Sequence, residues 1–312
     1  MTRNELPALA QEKGLEGELL HDEPLWRHTS YRIGGPADFY VAAENEGQVC
    51  GWVELARDLK EPYLIIGRGT NLLVADKGFR GLVIENRCLD FTLDAENHAV
   101  RAEAGVLFAL LARKTAKHGL AGLEWASGIP GTVGGAVVNN AGAYDRAVAD
   151  VICRVTTLDH RGRIQELAFE DLKLGYRTSR FRGQDSHEEA ILSADFTLSP
   201  ESRKVLTERT ARYDALRRAC QPHEPSAGSV FKNPPHLSAG QLIEQAGLKG
   251  KRIGDAQVSP KHANYIVNLG SAKGNDVLKL INMVREAIWQ RFDIKLELEI
   301  EVIGEWEKAQ II

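Results

Sequence analysis

The chain has 312 residues, 43% hydrophobic and 26% charged, with a formal net charge of −4. Those are values of a folded globular protein of two or three domains. The slight acidity leaves no electrostatic footprint for nucleic acid, although a basic cleft for an acidic small molecule fits inside an acidic average.

No apolar run approaches membrane-spanning length. Glu5, Glu12, Glu16 and Glu18 stand where a secretory leader would carry a basic start and an apolar core. A cytoplasmic protein without a membrane partner is expected. Cys50, Cys88, Cys153 and Cys220 are far apart, with no C-x-x-C. That spacing argues against a disulfide framework or a zinc site and for reduced, partly buried thiols; no metal is expected.

In chain order, the pattern is mixed α/β without an internal repeat. A helix is predicted over 48–59, and Pro62 opens an apolar strand that runs into Gly67. Strands are predicted over 82–84 and 99–104, and a helix over 106–118, after which short strands and helices alternate up to Leu198. A polar, arginine-rich helix over 201–219 ends near Pro222 and reads as a connection, which places a domain border near Pro200.

The C-terminal part has sharper punctuation. Ser238 with Gln241 three residues on is a capping-box pattern, and Gly247 stops that helix at a left-handed residue. Val277, Leu280, Ile281, Val284 and Ile288 form one helical stripe, which should pack on a sheet. Leu296, Leu298, Ile300 and Val302 alternate with Glu297, Glu299 and Glu301, the pattern of a strand whose three glutamates share one face.

Residues 127–144 read SGIPGTVGGAVVNNAGAY, with five glycines, one proline and two asparagines. Backbone so bare can approach a ligand closely, and glycine reaches conformations that turn successive N–H groups toward one anion, so the run suits a pyrophosphate. Its spacing is neither G-x-G-x-x-G nor a glycine loop ending in Gly-Lys-Ser/Thr. A second run, IIGRGTNLL over 65–73, delivers Gly67 and Gly69 into a turn followed by Thr70 and Asn71. Two glycine turns suit one extended ligand.

Three other residues carry chemistry only in context. Ser229 in AGSVF is not a G-x-S-x-G nucleophile, and its ordinary role is a turn serine bonded to nearby backbone. Arg177 in YRTS is by default a surface ion-pair partner. By spacing alone, Glu297, Glu299 and Glu301 have equal claims.

Taken together, HTSYRIGGPAD (28–38), GRGTNLL, GIPGTVGGAVVNNAGAY, YRTS (176–179), GSVFKNP (228–234) and EIEVIG (299–304) resemble the UDP-N-acetylenolpyruvoylglucosamine reductase (MurB) family, in order and over nearly the whole chain. The resemblance implies an α+β protein. Its FAD-binding domain would be of the vanillyl-alcohol-oxidase (PCMH) type, in two α/β subdomains at 1–95 and 96–200, followed by a C-terminal α+β substrate-binding domain at 201–312. The short spacing between Phe181 and Ile191 fits the subgroup that lacks an extra tyrosine-bearing loop.

The implied non-covalent FAD contacts are Gly67, Arg68, Gly69, Thr70, Asn71 and Leu72 in the first run. In the second they are Ser127, Gly128, Ile129, Pro130, Gly131, Thr132, Gly134, Gly135, Asn139, Ala141 and Gly142. Tyr176, Lys232, Asn233 and His262 are implied substrate contacts, His262 being equally well read as a packed loop histidine. No covalent-flavin histidine signature is visible, and a monomer is expected.

The implied reaction passes hydride from NADPH through FAD N5 to the β-carbon of an enolpyruvyl ether carried by UDP-N-acetylglucosamine. The product is UDP-N-acetylmuramate for peptidoglycan. Without a separate nicotinamide fingerprint, NADPH would borrow the substrate cleft. Ser229 would protonate the intermediate, and Arg177, permanently charged and planar, would hold the carboxylate and developing enolate.

The ending Glu-x-x-x-Ile-Gly selects Glu299 as the residue that orients the carboxylate or assists protonation. Glu301 stands where many relatives carry arginine, and like charges on one face raise each other's proton affinity. A different FAD oxidoreductase of this fold would share the glycine turns but not need the YRTS, GSVFKN and terminal glutamate set. A non-catalytic flavin- or sugar-nucleotide-binding protein would keep the cleft and lack turnover.

Overall fold

The computed structural model describes residues 5–183 and 189–307. Contacts divide the chain into two compact units. One takes Met1–Leu20, Phe39–Gly67 and Gly81–Arg217; the other takes His21–Asp38, Arg68–Arg80 and Arg218–Ile312.

In the first unit, the helix predicted over 48–59 runs Glu46–Asp58, because Asn45 caps it by accepting the Gln48 amide at 2.9 Å. Val49, Trp52, Val53 and Ala56 recur at helical spacing and are buried against Phe39, Val41, Leu82 and Ile84. Full burial of a side chain such as Val49 or Val53 contributes about 1.5–3 kcal/mol. Strand Tyr63–Ile66 pairs in parallel with residues of Phe79–Asn86, with Tyr63 opposite Leu82 and Ile66 opposite Glu85, and hands the chain directly to Gly67.

A second sheet of this unit is antiparallel throughout. Its order is Ile164–Ala168, Ile152–Leu158, Ala190–Thr197, Ala99–Glu103 and Phe91–Asp94. Helices Phe108–Lys117 and Val133–Val138 fill its core with Phe108, Leu111, Val133 and Val137, and Trp125 meets Phe108 edge-on at 5.9 Å. The predicted polar helix is Arg203–Cys220, in which Leu206 is the one buried residue.

The second unit holds a three-stranded antiparallel sheet, Arg252–Ile253, Ala256–Val258 and Ile266–Asn268. Helix Gly274–Phe292 buries Val277, Leu280, Ile281, Val284 and Ile288 and packs on this sheet, as its stripe requires. Its first amides are capped by the Asp76 carboxylate, which accepts from Gly274 at 2.7 Å and Asn275 at 3.1 Å. Helix Ala239–Gln245 is capped by Ser238, which accepts the Gln241 amide at 3.3 Å, and Gly247 follows at φ +73°.

The strand predicted over 296–302 is a correction. Regular strand occupies only Glu301–Ile303, paired in parallel with Leu72–Val74. Leu298 makes an isolated antiparallel bridge to Phe231, and the chain bends at Glu299 and Ile300 before it changes partner. Leu296 and Ile300 are buried, so the alternation is real, but the three glutamates do not line one uniform face. The thiols also differ from expectation. Cys88 is buried and Cys50 half-buried, but Cys153 and Cys220 are exposed, and all four are free. Among the described residues, no helix is long and apolar enough to cross a membrane, and no cluster of His, Cys, Asp or Glu could hold a metal ion.

Candidate active site

In the first unit, the start of one glycine run meets the other. A Cβ on Gly67 would stand inside contact distance of Thr132 Oγ1, so glycine is required for the approach. Thr132 caps helix Val133–Val138, its hydroxyl accepting the Gly135 amide at 3.4 Å. Backbone bonds lace the loop to its surroundings: Phe108 N to Gly131 O at 3.0 Å, Val133 N to Val106 O at 2.9 Å and Gly134 N to Ala104 O at 2.9 Å.

The paired glycines Gly134 and Gly135 then serve different ends. A Cβ on Gly134 would press on Ala104 Cβ at 3.0 Å, whereas one on Gly135 would meet only Thr132 Oγ1, at 3.7 Å. Gly134 is therefore needed for packing, and Gly135 leaves open space at the loop surface where a ligand can lie on bare backbone. These residues fit a bound pyrophosphate cofactor such as FAD.

Arg177 sits against the far end of the same loop. It lies in a tight turn closed by Gly175 and Thr178, at φ +53°, and its Nη2 donates to Gly142 O at 2.6 Å. Asn140, buried and at φ +39°, secures that turn: its Nδ2 donates to Gly175 O at 2.8 Å and its Oδ1 accepts from Ala149 N at 3.0 Å. Arg182 donates to Asn139 Oδ1 at 2.6 Å and to Arg177 O at 3.2 Å. Asn139 and Arg177 are candidates from the sequence, whereas Asn140 and Arg182 are not. The doubled asparagine was the one visible signal. Tyr176 is exposed. The segment whose short length suggested a missing tyrosine loop includes 184–188, which lie outside the described residues.

In the second unit, Ser229 and Glu299 are brought together by backbone. Glu299 N donates to Val230 O at 2.8 Å, Lys232 N to Glu297 O at 2.9 Å, and Phe231 bridges Leu298. Asn71, from the first glycine run, donates its side-chain amide to Glu299 O at 3.1 Å and accepts the Glu301 amide at 2.8 Å. Ser30 adds a second tie, its amide donating to Gly69 O at 3.1 Å and its hydroxyl to Ser226 O at 2.7 Å. Arg177 belongs to the first unit and Ser229 and Glu299 to the second.

The Ser229 turn is clamped from behind by Asn264, a buried residue absent from the sequence-based candidates. Its carbonyl accepts Val230 N at 2.8 Å, its Oδ1 accepts Phe231 N at 3.0 Å, and its Nδ2 donates to Phe231 O at 2.8 Å. The Ser229 hydroxyl itself has no hydrogen-bond partner among the described residues.

The remaining candidates divide. Lys232 Nζ lies 3.4 Å from Glu297, whose side chain is 76% exposed, while Glu299 is half-buried. Asn233 accepts the Ala239 amide at 3.0 Å and so helps to start helix Ala239–Gln245. His262 packs edge-on to Tyr265 at 4.8 Å, and its Nδ1 accepts the Asn264 amide at 3.3 Å. Burial pushes its pKa below the usual histidine value.

Comparison with known proteins covers both units. Residues 37–168 match the FAD binding domain family, and residues 221–303 match the family described as UDP-N-acetylenolpyruvoylglucosamine reductase, C-terminal domain. The chain is similar to the UDP-N-acetylenolpyruvoylglucosamine reductase of Carboxydothermus hydrogenoformans, 40% identical over 294 residues covering 94% of this chain and 96% of the relative. The reductase of Agathobacter rectalis is 44% identical over 301 residues, covering 92% and 95%. The crystal structure of the Thermus caldophilus reductase superposes with a TM-score of 0.77 at 36% identity, covering 92% of this chain and 98% of that one.

Proposed function

The chain belongs to the UDP-N-acetylenolpyruvoylglucosamine reductase family, and from that premise we propose that it reduces the enolpyruvyl ether of UDP-N-acetylglucosamine-enolpyruvate to UDP-N-acetylmuramate, with NADPH as reductant. The observation that carries the catalytic assignment is the backbone bond from Glu299 to Val230, which seats a Ser229 hydroxyl uncommitted to other groups one residue away.

FAD, when bound, supplies hydride transfer that no side chain can perform. The residues then do the rest. Ser229 delivers a proton to the α-carbon once the β-carbon has received hydride, so one C=C bond is lost and two C–H bonds are formed. Arg177 neutralises the substrate carboxylate, where negative charge accumulates. Glu299 orients that carboxylate or supports protonation, and Lys232 offers a cation to an anionic substrate. His262 acts in packing as much as in binding, because its Nδ1 is already taken by the Asn264 amide. A cytoplasmic location fits a sugar-nucleotide substrate.

The test is stoichiometric. Kept anaerobic, protein reconstituted with FAD should consume one NADPH per flavin on its own and turn over further NADPH only when the enolpyruvyl sugar nucleotide is present, forming one lactyl ether per NADPH consumed in turnover. Protein with bound flavin that consumed NADPH equally without that substrate would contradict the reading.

A further inference from the structure

The helix Arg203–Cys220 has one buried residue, Leu206, so hydrophobic burial does little to hold it. It is nevertheless fastened to one stretch of the first unit, Glu124–Tyr144, by four side chains. Arg209 pairs with Glu124 at 3.4 Å, and the other oxygen of Glu124 accepts the Gly122 amide at 2.7 Å. Tyr213 stacks on Tyr144 with ring centroids 4.5 Å apart, and its carbonyl accepts the Tyr144 hydroxyl at 3.2 Å. Asp214 accepts the hydroxyl of fully buried Ser127 at 2.8 Å and meets Arg113 at 3.2 Å through its other oxygen. Arg217 lies over Gly128, where its Nε is 3.0 Å from the position a Cβ would take.

Positions 209, 213, 214 and 217 follow helical spacing and fall on one face. That face touches the glycine loop at its beginning, at Ser127 and Gly128, and at its end, at Tyr144. Ser127 is fully buried and its hydroxyl bonds to Asp214, whose carboxylate is itself held by Arg113.

We propose that this helix face is a brace for the glycine loop and that Asp214 is its anchoring residue, a positioning residue that sets FAD affinity by acting through Ser127. The inference rests on the reading that the glycine loop holds FAD.

Flavin is stripped from wild type and variants, and each apoprotein is titrated with FAD by flavin fluorescence. Ser127→Ala and Asp214→Ala should each raise the FAD dissociation constant about tenfold, the effect of losing one hydrogen bond to a charged group. The double variant should be no weaker than either single, because both break the same tie. Arg212→Ala, on the exposed side of the helix, should bind like wild type. Asp214→Asn, which keeps an acceptor for Ser127 but loses the charge opposite Arg113, should fall between wild type and Asp214→Ala. It also supplies a folded variant if the alanine does not fold. Unchanged affinity in the folded Asp214 variants, or additive effects of Ser127→Ala and Asp214→Ala, would overturn the brace. Gly135→Val separates the premise: if it loses FAD while the Asp214 variants keep it, the brace is wrong and the loop assignment stands. If Gly135→Val binds FAD as wild type does, the loop assignment fails and the brace with it.

Discussion

Asn71 holds Glu299 by its carbonyl, 3.1 Å from the asparagine side-chain amide, so a residue of the first glycine run fixes the backbone of the candidate acid. Glu297, two residues earlier, has a different setting: its side chain is 76% exposed and pairs with Lys232.

That contrast makes the glutamates an internal control. Glu299→Gln should slow the transfer from reduced flavin to substrate on the order of 100-fold, as when a group acting chiefly in the transition state is lost. Glu297→Gln, which breaks only an exposed ion pair, should cost little, with Glu301→Gln between them. Single-turnover reoxidation measures all three. Equal damage at Glu297 and Glu299 would reject the assignment.

Ser229→Ala should separate the two half-reactions. Flavin reduction by NADPH should stay near the wild-type rate, and reoxidation by substrate should slow by ~100-fold or more, the size expected for losing general-acid assistance. Equal slowing of both, measured by stopped flow, would mean that the serine is structural.

Asn264→Ala should damage the site from behind. It leaves Phe231 N and O unpaired in a buried place, at about 1–3 kcal/mol for each group, and frees the Ser229 turn to shift. A lower thermal midpoint together with slower substrate reoxidation, and little change in flavin reduction, is the expected pattern. A lower midpoint with both rates intact would show that the clamp serves folding alone.

The buried ring of His262 gives a pH dependence of known sign. Its pKa is lowered in the folded protein, so the unfolded chain binds the extra proton first as pH falls. The resulting stability is fully present above the ordinary histidine value of about 6.5 and is lost as pH drops through the lowered folded value. Chemical denaturation at a series of pH values from neutral downward should show this loss in wild type and a shallower one in His262→Gln. Parallel curves would remove His262 as the cause.

Much of the candidate site is visible in the sequence as local pattern. Glycine runs announce themselves because bare backbone is a local property, and helix stripes such as Val277 to Ile288 report burial directly. The segment 296–302 misled because alternation reports which side chains are buried, not which strand they meet. There the chain bridges Phe231, bends, and then pairs with Leu72–Val74. Asn264, Asn140 and Asp214 were invisible for another reason. They act on backbone or hydroxyl groups distant in sequence, 33 residues away for Asn264 and 87 for Asp214, and no local pattern encodes such a partner. The assignment of His21–Asp38 and Arg68–Arg80 to the second unit is likewise a product of long-range pairing.

The most direct measurement is an anaerobic titration of the FAD-reconstituted protein followed by visible absorbance. NADPH should bleach the flavin, and one equivalent of UDP-N-acetylglucosamine-enolpyruvate should restore its colour with formation of the lactyl ether. Flavin that NADPH reduces but that stays reduced in the presence of this substrate would contradict the proposed reaction.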